Sequence, residues 1–178
     1  MPEPSFRIRR GEARDAEALA AFASRTFADT FAAANRPEDI AAYLPSAYGI
    51  RQQSVELASE DIVTLIMETD LDTMVAYAMI RRGSVPDSVV SEAPVELWRF
   101  YVDRSWHGRG LAQRLMAAVH DGAVKLRART LWLGVWERNE RAIAFYEKCG
   151  FRDVGAHDFW VGADRQTDRI MVTEVRQR

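Results

Sequence analysis

The sequence predicts one α+β domain built on a mixed sheet of about seven strands. Three observations predict it. Apolar residues recur with a period of two in some segments and near 3.6 in others. The segments run strand, helices, three strands, helix, strand, helix, two strands, an order that suits neither an all-helical nor an all-strand domain. The 178 residues, 48% of them hydrophobic, hold no repeat, low-complexity tract or linker, so residues 1–178 read as a single domain with a buried core.

Phe6-Arg7-Ile8-Arg9 alternates apolar and charged residues as a first strand does. Ala13 to Ala34 is Ala-rich, with Leu19, Phe22, Phe27 and Phe31 at helical spacing, and Asn35-Arg36-Pro37 ends it. Pro37 to Pro45 suits a short helix with Pro in its first turn, and Gly49 to Glu60 suits another. Ile62 to Glu68 and Met74 to Arg82 read as two strands joined at Asp70-Leu71-Asp72. Gly83 to Pro94, with its Gly, Pro and Ser, is a surface loop before a fourth strand, Val95 to Val102. Gly110 to Ala128 is helical, with Leu111, Leu115, Ala118, Val119 and Gly122 on one face. Thr130 to Trp136 is a fifth strand. Asn139 to Cys149 is a helix with an Asn at its N-cap and Gly150 just beyond its end. Phe151 to Gly162 and Asp168 to Arg176 supply the last two strands.

Composition excludes several classes. Lys plus Arg is 24 and Asp plus Glu is 26, a net charge of -2 with no basic run, which argues against a nucleic-acid partner. No stretch approaches a membrane span, and Met1-Pro2-Glu3-Pro4-Ser5 is no signal peptide, so no membrane partner and a cytoplasmic location are expected. One cysteine, Cys149, cannot form an internal disulfide; it reads as a buried structural thiol rather than an acyl-carrying nucleophile. His107, His120 and His157 are scattered without a Cys/His cluster, so no metal is expected.

The most informative turn is Val102-Asp103-Arg104-Ser105-Trp106-His107-Gly108-Arg109-Gly110-Leu111-Ala112, between a strand and a helix. Small residues at 108, 110 and 112 let a ligand approach the backbone, and the helix that follows begins with unpaired N–H groups and a positive dipole end. A diphosphate would be held there by main-chain donors, with charge added by Arg109 and Arg114. Neither a dinucleotide fingerprint nor a P-loop is present.

A second stretch, Leu131 to Phe151, makes the signal specific. Gly110 and Ala112 in the turn, with Asn139, Tyr146, Gly150 and Phe151 in the later helix, resemble the motifs of the GCN5-related N-acetyltransferases (GNAT). Position 107 is His where that family has Gln or Arg. The resemblance extends to PaiA-type spermidine/spermine N-acetyltransferases through Thr26-Phe27-Ala28-Asp29-Thr30-Phe31, Asn35, Pro37, Glu38, Tyr43, Leu44, Trp132 to Glu137, Ala142 to Tyr146, Gly155-Ala156-His157, Gly162, Gln166-Thr167-Asp168 and Ile170-Met171. It implies a twisted sheet splayed between strands four and five with helices on both faces. It also implies acetyl-CoA as cosubstrate, a small amine such as a polyamine as acceptor, and a homodimer.

On that resemblance, Phe100, Tyr101 and Val102 pair with the pantetheine arm, and a main-chain N–H at Val102 polarises the thioester. His107, Gly108, Arg109, Gly110, Leu111, Ala112 and Gln113 surround the diphosphate, and Asn139, Phe145 and Tyr146 complete the cosubstrate site. Tyr146 is the candidate acid for the leaving thiolate, with Phe145 the more core-like of the two. Glu96, six residues before Val102, is the candidate general base; a solvated strand Glu is the plain alternative. Other members of the family carry a Glu at the position of Gly134. A cationic amine calls for acids and aromatic faces, and Asp29, Glu38, Asp39, Trp98, Trp136, Trp160 and Asp168 are candidates. Core packing or plain solvation is the alternative for each.

Overall fold

The computed structural model describes residues 5–175; Met1 to Pro4 and Arg176 to Arg178, including the last residue expected in the final strand, lie outside the described residues. One seven-stranded sheet runs in the order β1-β2-β3-β4-β5-β7-β6. Its strands are β1 Phe6–Arg10, β2 Ile62–Thr69, β3 Met74–Arg81, β4 Pro94–Val102, β5 Thr130–Trp136, β6 Arg152–Val161 and β7 Asp164–Glu174. The helices are α1 Ala16–Phe31, α2 Pro37–Tyr48, α3 Ile50–Ala58, α4 Leu111–Lys125 and α5 Glu140–Lys148.

All neighbouring strands are antiparallel except β4 and β5. Those two pair only at Pro94↔Thr130, Val95↔Leu131 and Glu96↔Trp132, although both continue beyond. The sheet therefore parts after Glu96 and Trp132. Each half is held from its outer side, β4 by β3 and β5 by a register with β7 that runs from Thr130↔Glu174 to Trp136↔Asp168.

Helices cover both faces. Leu111, Leu115, Met116 and Val119 of α4 and Tyr146 of α5 pack with Ala76, Ala78, Ile80 and Leu131 on one face. Leu19, Phe22 and Phe27 of α1 and Ile40 and Tyr48 of α2 pack with Tyr77 and Met79 on the other. The alternation of β3 between these two cores is what a strand buried on both faces must show.

Two elements depart from the sequence reading. α2 runs through Pro45 to Tyr48 rather than stopping at Pro45. Tyr48 is only 3% exposed, and burying its ring in the α1–α2 core offsets the hydrogen bond that Pro45 cannot donate. β7 begins at Asp164, not Asp168, because Gly162 and Ala163 form a tight turn that pairs Val161 with Asp164. The polar run Asp164 to Thr167 carries no apolar alternation of its own, and cross-strand pairing alone makes it a strand.

β4 also contains a bulge. Met79 pairs with Arg99 and Ile80 with Leu97, so Trp98 is the extra residue. The bulge turns Arg99 and Tyr101 toward α1–α3 and returns Phe100 and Val102 to the α4–α5 side. Arg99 is then buried against Glu56 of α3, its Nη1 donating to Oε2 at 2.5 Å and Nη2 to Oε1 at 3.1 Å, while Nη2 also donates to the Ala47 carbonyl at 2.9 Å. Removing one partner of such a pair leaves an uncompensated buried charge. Arg99→Ala is expected to cost about 3–5 kcal/mol, read as a lower denaturant midpoint with an unchanged slope.

Candidate active site

The parting of β4 and β5 opens a cleft of about 570 Å³ that runs from the start of α4 through the gap to the side faced by α1, α2, β6 and β7. At one end, Gly108 and Gly110 adopt left-handed φ values of 78° and 74°, and a Cβ built on either would meet nothing within 4 Å. Only glycine takes this shape without strain. Among the described residues, no backbone amide of residues 108–113 reaches a protein acceptor. These unpaired donors lie at the positive end of a fifteen-residue helix, and Gly108, Gly110, Leu111, Ala112 and Gln113 line the cleft there.

The turn is braced from below. Asp103 accepts from the Ser105 amide at 2.9 Å and pairs with Arg25 of α1 at 2.6 Å. The His107 ring is spent internally, its Nε2 donating to the Val102 carbonyl at 2.8 Å. The cations expected at this turn are also partly engaged. Arg109 lies over the Trp106 ring and does not line the cleft, and Arg114 donates to the Phe6 carbonyl at 3.0 Å. Arg104 of the same turn does line the cleft, beside the backbone amides.

Phe100, Tyr101, Val102, His107, Gly108, Gly110, Leu111, Ala112, Gln113, Asn139, Phe145 and Tyr146 all line the cleft. Asp103 N donates to Val75 of β3, so the N–H of Val102, one residue earlier on the strand, points the other way into the gap. Asn139 caps α5 by accepting from the Ala142 amide at 3.2 Å, which leaves its side-chain N–H groups for a ligand. The two aromatic neighbours on α5 differ in burial the opposite way from the sequence reading, which made Phe145 the more core-like. Tyr146 is the buried one, set edge-on to Phe100 and Phe151, whereas Phe145 is half-buried and stacks on Phe100. Burial pushes the Tyr146 phenol well above its usual range, so it keeps its proton at neutral pH.

The other half of the cleft holds Asp29, Phe31, Tyr43, Arg81, Glu96, Trp98, Gly134, Trp136, His157, Phe159, Gln166 and Asp168. Glu96 accepts from Arg81 Nε at 2.5 Å. Burial raises its carboxyl, and the Arg81 hydrogen bond opposes that rise. Arg81 also lies 3.7 Å from the Trp98 ring centroid. Asp168 carries no such partner: its Oδ1 is buried and unbonded, and burial, with nearby Glu137 second, pushes its carboxyl up to about 6. Glu38 and Trp160 do not join this group. Glu38 faces outward from the first turn of α2, and Trp160 is 54% exposed because His157 and Phe159 take the inward positions of β6. Asp39 instead accepts from Arg36 Nε at 2.8 Å and from the Ala163 amide at 3.0 Å, tying α2 to the β6–β7 turn.

His157 was given no role from the sequence, yet it faces the cleft beside Asp168. Period-two alternation in the β6–β7 hairpin is the signal that finds it: His157 with Phe159, and Gln166 with Asp168, share the inward face. Cys149 is half-buried at the end of α5, and burial pushes its thiol up, away from nucleophilic character. Among the described residues no three His, Cys, Asp or Glu side chains gather as a metal site would, and no helix is long and apolar enough to cross a membrane.

A sheet parted to admit an extended chain, with an anion cradle at one end and acids among aromatics at the other, defines a transferase that carries an activated group on a phosphorylated arm. Comparison with known proteins gives that class its family. Residues 23–151 match the model of the acetyltransferase (GNAT) family. A Mycobacterium tuberculosis protein described as an uncharacterized N-acetyltransferase is 35% identical over 161 residues, 90% of this chain and 98% of that protein. The spermine/spermidine N(1)-acetyltransferase of Bacillus subtilis is 29% identical over 114 residues, 64% of this chain and 69% of that protein. The crystal structure of a PaiA N-acetyltransferase from Thermoplasma acidophilum in complex with coenzyme A aligns over 96% of this chain and 99% of its own, with a TM-score of 0.76 and 21% identity. The chain belongs to the GNAT family and is an acetyl-CoA-dependent N-acetyltransferase. Gly110→Glu, which adds a like charge and a side chain at positive φ, is expected to weaken acetyl-CoA binding by about two orders of magnitude, roughly 3 kcal/mol. Calorimetric titration checks it.

Proposed function

We propose that this acetyltransferase acts on a small primary amine, with polyamines such as spermidine or spermine the first class to test, by direct attack within a ternary complex. The observation that carries the reading is the continuity of one cleft. It joins the amide cradle at residues 108–113 to a chamber walled by Phe31, Tyr43, Trp98, Trp136 and Phe159 and containing the carboxylates of Asp29, Glu96 and Asp168. Aromatic faces and acids attract an ammonium group. The named activity of the Bacillus subtilis relative supports the polyamine class.

On this reading the cradle holds the diphosphate and the pantetheine arm enters between β4 and β5, adding to the free side of β4 as a strand would. The Val102 N–H meets the thioester oxygen, where negative charge develops as the amine attacks. The amine lone pair forms the C–N bond and the C–S bond breaks. Tyr146 donates its phenolic proton to the departing sulfur. Glu96 lies at the point where the strands part and is bonded to Arg81, which it holds beside the chamber.

Thiol release from acetyl-CoA with a panel of amines tests the function. Turnover of spermidine or another small amine is expected. Activity confined to peptides, or acetyl-CoA binding without turnover of any amine, would overturn the reading. Tyr146→Phe is expected to lower kcat by about 10²–10³, a usual range for loss of a positioned acid, with acetyl-CoA affinity unchanged.

A further inference from the structure

Among the described residues, one carboxylate in the acceptor chamber has no counter-ion. Of the three that line the cleft, Glu96 accepts from Arg81 at 2.5 Å and Asp29 lies 3.9 Å from Arg25. Asp168 is 8% exposed, and its Oδ1 is buried without a hydrogen-bond partner. A buried polar atom left unsatisfied costs stability, so its retention calls for an explanation.

Its position supplies one. Gly134 is the second residue beyond Trp132, where β5 leaves β4. A Cβ built on Gly134 would lie 3.2 Å from Asp168 Oδ2 and 3.1 Å from His157 Nε2. The missing side chain therefore lets Asp168 and His157 close in on the β5 backbone where it borders the cleft, just beyond the point where the strands part. An acyl group carried through that gap would end beside these two side chains.

We propose that Asp168, with His157 beside it, takes the proton from the attacking amine, and that Glu96 is a positioning residue. The assignment rests on the small-amine reading above. An N–H bond of the ammonium breaks as an O–H bond forms on Asp168, and the freed lone pair attacks the thioester carbon. A second proton leaves the nitrogen for solvent as the C–S bond breaks. Tyr146 protonates the sulfur and regains a proton from solvent, Asp168 releases its own, and the sum is one amide, one thiol and one proton. Arg81 weakens Glu96 as an acceptor by neutralising it, whereas the Asp168 carboxyl, at about 6, is basic enough to accept and acidic enough to release at neutral pH. The groups near Asp168 are His157 of β6, Glu137 after β5 and Tyr43 of α2, and Glu96 with its partner Arg81 lines the same cleft.

The test is the pH dependence of kcat/KM for the best amine, in wild type, Asp168→Asn, Asp168→Glu and Glu96→Gln. Acetyl-CoA affinity and thermal midpoints are measured alongside. Wild type is expected to show an acid limb near pH 6. Asp168→Asn is expected to lose the limb and at least about 100-fold in kcat, with acetyl-CoA affinity kept and part of the rate restored in Asp168→Glu. Glu96→Gln is expected to keep the limb.

The thermal midpoint gives an independent readout. A raised carboxyl costs the fold nothing where it is protonated in both folded and unfolded states, below the ordinary 3.8, and its full amount above about 6. Asp168→Asn is therefore expected to melt higher than wild type at pH 8 and at the same temperature at pH 3. Asp168→Asn with a raised KM but intact kcat and limb would make Asp168 a binding group and overturn the assignment, as would loss of the limb in Glu96→Gln instead. Should Asp168→Asn not fold, Gly134→Ala presses a methyl against His157 and Asp168 and displaces them: at least about a tenfold loss of kcat with unchanged acetyl-CoA affinity is expected, and a normal kcat overturns the proposal. Wild type that acetylates no small amine would sink the amine reading and this assignment together; wild-type turnover with a normal Asp168→Asn enzyme would sink the assignment alone.

Discussion

The structure depends on a parallel strand pair that stops after three residues. β4 and β5 separate beyond Glu96 and Trp132 while both remain strands. A strand edge exposed inside a protein tends to find a partner, because unpaired N–H and C=O groups are costly away from water. Here the two halves are restrained from outside. β5 is locked to β7 over its whole length, β4 to β3, and the bulge at Trp98 changes the direction of β4 as the gap opens. The buried Arg99–Glu56 pair fixes that bulge to α3, and Phe145 stacked on Phe100, with Tyr146 edge-on to both, fills the α5 side. The gap is thus a property of the surrounding packing, and it leaves the main-chain donors of β4 directed at whatever enters.

Much of this was legible from residue patterns. Thr130 to Trp136 reads as a strand and is one, and Asn139 caps its helix as its side chain allows. The glycines at 108 and 110 adopt the left-handed φ that a close ligand approach to the backbone would use, and it took the Leu131 to Phe151 stretch to make so common a kind of turn specific. What local pattern could not supply was pairing. Asp164 to Thr167 carries no strand signature, yet it completes the hairpin that places Gln166 and Asp168. His157 looked like any isolated histidine until its cross-strand partner proved to be Asp168. The bulge at Trp98 was equally silent, because a one-residue slip depends on the register of β3. Arg109 and Trp160 were expected at the site and stand aside for the same class of reason: a stacking neighbour in one case, strand alternation in the other.

Two buried acids show how the fold separates structural from chemical use of charge. Glu56 and Arg99 are both almost wholly buried and bond each other twice, so neither has capacity left for a ligand. Asp168 is nearly as buried but unmatched. Satisfying it internally would take one more cation, and Arg81 lines the same cleft. That guanidinium instead neutralises Glu96 and covers the Trp98 ring. With Glu96 cancelled, the deep part of the chamber presents a single uncompensated negative charge among aromatic walls, and Asp29 adds a second at 40% exposure, only loosely held by Arg25. A ligand with one cationic nitrogen would satisfy the inner charge. A ligand with a second cationic centre has Asp29 as a further acid in the same cleft, and aromatic surfaces suit the methylene segments of such a ligand. On the proposed small-amine reading, two acids in one aromatic-walled cleft are the physical basis for placing polyamines ahead of simpler amines as the first class to test.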